Sequence, residues 1–172
     1  MQNDTTQKPS GWLRVAVLGR HPRRTLVRLL VLGAVCFIVF KFILLPIRIS
    51  GESMLPTYHE GQFNLVNRLA YLRHEPRRGD VVSIQLAGPS IMFMKRIIAL
   101  PGETVSFAAG HAVVNGQPLA EPYLKQPCDW NRPPITLGAG EYFVVGDNRS
   151  MEMRDHTFGI AVRRKIVGKV LL

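Results

Sequence analysis

One serine lies in a stretch of the sequence whose composition is typical of an exposed turn. Ser53 occupies the middle of Ser50–Thr57, in which Gly51 and Pro56 favour a turn over a helix or a strand. A serine hydroxyl becomes a nucleophile only when a neighbouring group takes its proton. On its own such a serine is usually a turn residue, so any chemistry at Ser53 requires a partner from elsewhere in the chain.

A lysine in a strand-like segment is the candidate partner. If Ile91–Leu100 is a strand, Lys95 shares one face with the apolar Phe93 and Ile97, while Arg96 points to the other face. Burial disfavours the charged form of a lysine, so a buried Lys95 would accept a proton near neutral pH. The pattern taken alone is more typical of a lysine whose amine reaches water at a sheet edge.

The apolar segment that precedes these residues is long enough to cross a membrane. From Thr25 to Leu45 the chain is almost wholly apolar, and about 21 residues in a helix span roughly 30 Å of hydrocarbon. Residues 46–48 make a poor signal-peptide cleavage site, which favours a retained anchor over a cleaved leader. We therefore predict a cytoplasmic basic tail over residues 1–24, a transmembrane helix over 25–46 and an extracytoplasmic catalytic domain over 47–172.

The positive charge of the chain is concentrated at one end. The formal net charge is +10, and residues 1–28 hold six basic side chains and one acidic one. Residues 49–172 hold 14 basic and 11 acidic side chains, so they are close to balanced. This distribution favours an anionic membrane surface over a nucleic acid as the partner of the basic end. It also predicts that the N-terminus stays in the cytoplasm and that the larger part is translocated.

The part after the apolar segment has the sequence pattern of an antiparallel β domain. Short runs rich in valine, isoleucine, phenylalanine and tyrosine recur between turn residues, and Asn115 with Gly116 predicts a two-residue hairpin. Residues 118–140 are rich in proline and lack periodicity, which indicates a long loop or a short irregular insert. We predict a mainly β, antiparallel sandwich or curled-barrel domain on a single N-terminal transmembrane helix. The predicted strands are Phe63–Tyr71, Asp80–Leu86, Ile91–Leu100, Thr104–Phe107, Ala112–Val114, Tyr142–Val145 and Ile166–Leu171.

Four short motifs occur in an order that is similar to the motif order of bacterial type I signal peptidases. They are Ser50–Thr57, Arg78–Val82, Lys95–Gly102 and Gly146–Arg149. Each motif is weak alone, but four in register behind an apolar segment are specific. The resemblance covers residues 25–172 and implies a Ser–Lys serine protease.

The resemblance implies a role for each residue of the first and third motifs. Ser53 corresponds to the nucleophile that is acylated, and Lys95 corresponds to its general base. The backbone N–H of Ser53 corresponds to one donor to the oxyanion. Some members place a second hydroxyl donor two residues earlier, where this chain has Gly51, so the second donor stays open between Gly51 and the adjacent Ser50. No metal or other cofactor is expected, because no cluster of histidine, cysteine and aspartate has the spacing of metal ligands.

The last motif departs from the family pattern at the residue that should support the lysine. The serine that hydrogen-bonds the lysine in the family falls at Glu152 in this chain. A carboxylate beside Lys95 would stabilise the ammonium form and oppose its role as a base. Either Glu152 points away, or Ser150 or Thr157 takes the place of that serine. The resemblance leaves no role for His156.

The loop around this motif is expected to have a structural role. Asp147 and Asn148 correspond to turn residues that hold the loop against the serine and the lysine. Asp155 is the candidate replacement for the family's aspartate, with Arg149 or Arg154 as its ion partner.

The resemblance implies an endopeptidase that removes N-terminal signal peptides from exported preproteins. The substrate would lie extended beside the segment that precedes Lys95, and the enzyme would sit in the bacterial cytoplasmic membrane with its catalytic domain outside. The expected partners are preprotein signal peptides and the lipid bilayer, without nucleic acid, and the oligomeric state stays open. Two alternatives stay open as well. One is a specialised maturation peptidase for a single pilin-like or conjugation substrate, and the other is a catalytically silent binding module, which Glu152 suggests.

Overall fold

The computed structural model describes residues 22–87, 91–125, 128–156 and 159–171. The chain divides into two compact units, Met1–Lys41 and Phe42–Leu172. We call them the helical unit and the β unit.

The helical unit contains the apolar segment. Helix α1 covers Pro22–Ile38 and continues as a π-helical turn over Val39–Ile43. Arg23–Ile43 is 21 residues long and apolar enough to cross a membrane. The predicted transmembrane helix, which ran to Pro46, is too long by three residues, because strand β1 begins at Leu44. Proline has no backbone N–H to continue a helix, and here it occupies an edge strand instead.

The β unit contains two antiparallel sheets. A seven-stranded sheet has the order β1-β2-β11-β3-β4-β9-β10, and a four-stranded sheet has the order β7-β6-β5-β8. This architecture confirms the predicted mainly antiparallel β class. The strands are β1 Leu44–Arg48, β2 Phe63–Asn67, β3 Val81–Ala87, β4 Ile91–Ala99, β5 Thr104–Ala108, β6 His111–Val114, β7 Gln117–Pro118, β8 Arg132–Thr136, β9 Glu141–Val145, β10 Gly159–Val162 and β11 Ile166–Val170.

The predicted hairpin is confirmed, whereas four of the described strands were not in the predicted set. Asn115 and Gly116 both have positive φ, and β6 pairs directly with β7 across them. Strands β1, β7, β8 and β10 were missed, and each lies at the edge of its sheet. Prolines in β1 and β8 hid the strand pattern, since an edge strand tolerates residues that cannot donate to a ladder. Residues 118–140 therefore contain a strand and are not only a loop.

Apolar clusters join the sheets and support the turn that carries Ser53. One cluster lies between the two sheets and contains Phe107, Trp130 and Phe143. Another contains Met54 and Tyr58 together with side chains of β2, β3 and β11. The serine turn is therefore anchored in the core of the larger sheet.

Candidate active site

Two buried side chains fix the turn that presents Ser53. Met54 and Tyr58 are almost completely buried, and the N–H of Tyr58 donates to the carbonyl of Met54 at 3.0 Å. Gly51 has φ of +91°, a conformation that residues with a side chain rarely adopt. The backbone on both sides of Ser53 is thus constrained, which limits the positions that its hydroxyl can take.

The lysine amine lies at hydrogen-bonding distance from the serine hydroxyl. Nζ of Lys95 is 2.7 Å from Oγ of Ser53, although 42 residues separate them in the sequence. Lys95 is 3% exposed, so its amine does not reach water at a sheet edge. Burial lowers the pKa of Lys95 to about 8, while the negative charge of Asp147 acts in the opposite direction. A substantial fraction of the lysine is therefore neutral near pH 8 and can accept a proton.

The next residue of the strand makes an ion pair with the loop after β9. Nε of Arg96 donates to Oδ1 of Asp147 at 2.8 Å, and Nη2 donates to Oδ2 at 2.6 Å. The hydroxyl of Thr57 donates to the same carboxylate at 2.5 Å. Lys95 and Arg96 thus reach different partners, as the alternation of a strand predicts. Asp147 links the strand of the lysine to the turn of the serine.

The loop of the last motif contacts the backbone of the serine directly. The N–H of Asn148 donates to the carbonyl of Ser53 at 3.0 Å, and its Nδ2 donates to the carbonyl of Glu52 at 3.1 Å. A Cβ added at Gly146 would lie 2.0 Å from the Ser53 carbonyl oxygen, so glycine is needed for this close approach. Asp147 and Asn148 thus both contact the serine turn.

The structure answers part of the question of which residue supports Lys95. Glu152 points away: its side chain is 65% exposed and pairs with Arg154 at 2.7 Å. The hydroxyl of Ser150 donates to Oδ1 of Asn148 at 2.6 Å. Thr157 lies outside the described residues. Within the described part of the chain, the hydrogen-bond partner of the lysine amine is the hydroxyl of Ser53.

The predicted ion partners of Asp155 are engaged with other carboxylates. Arg149 pairs with Glu121, and Arg154 pairs with Glu152. The side chain of Asp155 lies outside the described part of the structure. The ion pair expected of Asp155 therefore stays a prediction. The pairing of Arg149 with Glu121 was not predicted, because nothing in the spacing of a proline-rich segment shows which distant cation it meets.

The buried histidine of this region packs against the core. His156 lies edge-on to Trp130 with ring centroids 4.9 Å apart, and its ring also borders Gly146. The titratable side chain that is hydrogen-bonded to Ser53, among the described residues, is Lys95.

A cleft with a volume of about 300 Å³ opens beside the serine. Ser50, Gly51 and Ser53 line it, as do Ser83 and Met92–Met94. The two candidates for the second oxyanion donor thus border the same cleft as Ser53.

One side of the strand in this cleft is available for pairing. Strand β4 pairs with β3 from Ile91 to Arg96, whereas its ladder with β9 begins at Arg96. Among the described residues, Met92–Met94 therefore have a strand partner on one side only. An extended peptide could pair with the free side.

A serine hydroxyl bonded to a buried lysine amine, at the mouth of a cleft in a β domain, is the arrangement of a serine hydrolase of the Ser–Lys type. Comparison with known proteins gives the family. Residues 23–172 match the family described as signal peptidase, peptidase S26. The chain belongs to this family, and it is a peptidase.

Individual relatives agree with this assignment. Signal peptidase I of Leptolyngbya laminosa is 36% identical over 132 residues, which cover 72% of this chain and 65% of that protein. Probable signal peptidase I-1 of Synechocystis is 34% identical over 84% of this chain and 79% of its own length. Signal peptidase I T of Bacillus subtilis is 34% identical over 76% of this chain and 74% of its own length. A solved signal peptidase I of Enterococcus faecalis is 25% identical, with a TM-score of 0.46, over 56% of this chain and 97% of that one.

Proposed function

We propose that this chain is a membrane-bound serine endopeptidase that removes N-terminal signal peptides from exported preproteins. Ser53 is the nucleophile and Lys95 is the general base. The observation that carries this proposal is the 2.7 Å contact between the Ser53 hydroxyl and a lysine amine that is excluded from water.

The reaction proceeds in two steps, acylation of Ser53 and hydrolysis of the acyl-enzyme, and Ser53 and Lys95 take part in both. Neutral Lys95 takes the hydroxyl proton as Ser53 attacks the scissile carbonyl, and it returns that proton to the leaving amine. A water molecule then gives a proton to Lys95 and attacks the acyl-enzyme, and the proton returns to Ser53 as the acid product leaves. Because burial lowers the pKa of Lys95 to about 8, a fraction of the lysine is neutral and can accept a proton in both acylation and deacylation.

The oxyanion accepts a hydrogen bond from the backbone N–H of Ser53 and a second one from the Ser50–Gly51 segment. Loss of one such donor costs about 10²–10³-fold in kcat in other serine proteases. Ser50→Ala should cause a loss of this size if the Ser50 hydroxyl is the second donor. An unchanged kcat would leave the backbone of Gly51 as the donor.

The substrate lies extended in the cleft and adds a strand beside Met92–Met94. Main-chain pairing on the free side of β4 supplies affinity, and the cleft accepts small side chains next to the cut. This arrangement favours preproteins with small residues before the cleavage site, of the Ala-x-Ala type.

The helix at the start of the chain anchors the enzyme in the bacterial cytoplasmic membrane, with the N-terminus inside and the β unit outside. Six basic side chains precede or begin the span, and the positive-inside rule assigns them to the cytoplasm. Protease added to intact spheroplasts should therefore digest the β unit. Digestion only after lysis would contradict this orientation.

The test of the activity is cleavage of purified preproteins by the full chain in liposomes. Ser53→Ala and Lys95→Ala should abolish cleavage while thermal unfolding still shows a folded protein. Ser106→Ala and Lys165→Ala are matched controls outside the cleft and should cleave normally. Unchanged cleavage by either active-site variant would contradict the proposal.

A panel of unrelated preproteins decides the range of substrates. Cleavage of most of the panel indicates general signal-peptide removal, whereas cleavage of one pilin-like or conjugation substrate indicates a specialised maturation peptidase. The catalytically silent alternative loses its motivation, because Glu152 is exposed and pairs with Arg154. Acylation of Ser53 by a penem electrophile would exclude it.

A further inference from the structure

A glutamate of the proline-rich insert is buried against an arginine of the last motif. Oε1 of Glu121 lies 2.5 Å from Nη2 of Arg149, and the two side chains are 5% and 0% exposed. Nε of Arg149 donates to the carbonyl of Gly146 at 3.2 Å. The rings of Phe107 and Trp130 lie 5.1 and 5.5 Å from its guanidinium carbon. Glu121 thus neutralises a buried cation that holds the first residue of the motif.

A tyrosine two residues further on covers the other arginine of the site. The guanidinium carbon of Arg96 lies 4.0 Å from the ring centroid of Tyr123, within the range of a cation–π contact. The hydroxyl of Tyr123 donates to Oε1 of Glu121 at 2.6 Å. Burial and the charge of Glu121 raise the pKa of Tyr123, so the hydroxyl stays protonated and remains a donor. We call Glu121 and Tyr123 the clasp.

The clasp therefore contacts both arginines that fix the serine-supporting loop. Arg96 holds the carboxylate of Asp147, and Arg149 holds the carbonyl of Gly146. The same loop meets Ser53 through the N–H of the following residue, Asn148. Two short paths thus run from the insert to the backbone of the nucleophile.

We propose that Glu121 and Tyr123 are positioning residues, which act through Arg149 and Arg96 to hold the loop against the turn of Ser53. This inference rests on the proposed function and assigns a role to the proline-rich insert. The described contacts of Glu121 and Tyr123 are with each other and with the two arginines, whereas the described partner of the lysine amine is the hydroxyl of Ser53. Their contribution is to the geometry in which the hydroxyl meets the scissile carbonyl.

The physical argument depends on what each change leaves behind. Glu121→Gln removes the charge that compensates Arg149, and an uncompensated buried charge destabilises its surroundings. Tyr123→Leu removes the ring over Arg96 and the hydroxyl that orients Glu121. Tyr123→Phe keeps the ring and removes only the hydroxyl. Because a displacement of about 1 Å can cost about 10²-fold in rate, small shifts of the loop are measurable in kcat.

The experiment measures kcat, KM and thermal unfolding of the full chain in liposomes with one preprotein. Glu121→Gln and Tyr123→Leu should lower kcat by about tenfold to 100-fold with little change in KM, because the loop moves and the cleft does not. Tyr123→Phe should lower kcat by less than about tenfold, because this variant loses only one hydrogen bond.

A double variant separates positioning from stability. Glu121→Leu with Arg149→Met removes both charges, and replacement of a buried ion pair by apolar residues commonly restores stability. The unfolding temperature should recover while kcat stays low, because the bond to the Gly146 carbonyl is still absent. Recovery of kcat together with the unfolding temperature would overturn the proposal, since the role would then be structural only. If Glu121→Gln does not fold, the double variant still tests the proposal.

Matched controls come from two contacts of the same kind elsewhere in the β unit. Glu103 pairs with Arg78 at 2.5 Å, and the hydroxyl of Tyr142 donates to Glu75 at 3.0 Å. Glu103→Gln and Tyr142→Phe should lower the unfolding temperature without lowering kcat. A wild-type kcat in both Glu121→Gln and Tyr123→Leu would overturn the proposal that the clasp positions the loop. If Ser53→Ala itself retains activity, the proposed function fails instead, so the two failures are distinguishable.

Discussion

Replacement of the buried lysine should make the protein inactive and more stable. Burial lowers the pKa of Lys95 from 10.5 to about 8, and each unit corresponds to about 1.4 kcal/mol. The folded state therefore disfavours the ammonium by about 3 kcal/mol at neutral pH. Lys95→Met removes this cost and loses about 1 kcal/mol with the bond to Ser53. The net gain in the free energy of unfolding near pH 7 is about 2 kcal/mol.

The gain should depend on pH in a defined window. Between pH 8 and 10.5 the unfolded lysine binds a proton that the folded one does not, so the stability contributed by this group rises with pH. Below pH 8 the buried ammonium of Lys95 destabilises the folded state by the full amount. Above pH 10.5 the lysine is neutral in both states, so this destabilisation is gone. The advantage of Lys95→Met over the wild type should therefore be constant below pH 8 and should disappear as the pH rises to 10.5.

Denaturant unfolding of both proteins in detergent micelles, across pH 6 to 11, measures this difference. Other titrating groups are shared by the two proteins, so their contributions cancel in the comparison. A Lys95→Met variant that is less stable at pH 7, or a difference that does not change between pH 8 and 10.5, would refute the claim that burial sets the state of the lysine.

Three further substitutions test the geometry around the serine. Gly146→Ala should lower kcat/KM by about 100-fold, because the added methyl would lie 2.0 Å from the Ser53 carbonyl oxygen; wild-type activity would contradict the close approach. Glu152→Gln should leave the rate and its pH dependence within about twofold of wild type, since Glu152 is exposed; a lowered pH midpoint would show that it faces Lys95 after all. Asn148→Ala should cost about 1 kcal/mol in thermal unfolding and a clearly larger factor in cleavage, because its side chain holds the serine turn; equal losses would argue for stability alone.

The pair at the centre of the site could be predicted from the sequence because two local signals agree. Lys95 falls on the apolar face of a strand pattern, and Ser53 falls in a turn-rich stretch next to an apolar segment. Family motifs then joined the two, since nothing local indicates that residues 42 positions apart meet. The alternation placed Lys95 on an apolar face, but its burial and the 2.7 Å contact could only come from the fold.

The contacts of the insert could not be predicted. Glu121 and Tyr123 lie in a segment without periodicity, where a carboxylate and an aromatic ring normally indicate a solvated loop. Long-range ion pairs leave no spacing pattern in a single sequence, because either partner could meet any opposite charge. The same limit explains why the pairing of Arg149 with Glu121 was not predicted.

The main error in the fold predicted from the sequence was that it missed the edge strands. Strand β8 contains Pro133 and Pro134, and β1 contains Pro46, which argue against a strand in the middle of a sheet. At an edge only one side of the backbone donates to a neighbour, so proline is tolerated. The pattern rules for central strands therefore missed them.

The pH dependence of Ser53 acylation tests the central claim most directly. Intact mass spectrometry of the full chain, after short exposure to a penem electrophile, measures the rate from pH 5 to 10. We expect a single adduct on Ser53 whose rate rises with a midpoint near the Lys95 pKa of about 8 and which is absent in Ser53→Ala and Lys95→Ala. A midpoint near about 6.5, where an ordinary histidine titrates, or an adduct that persists in Lys95→Ala, would contradict the Ser53–Lys95 pair.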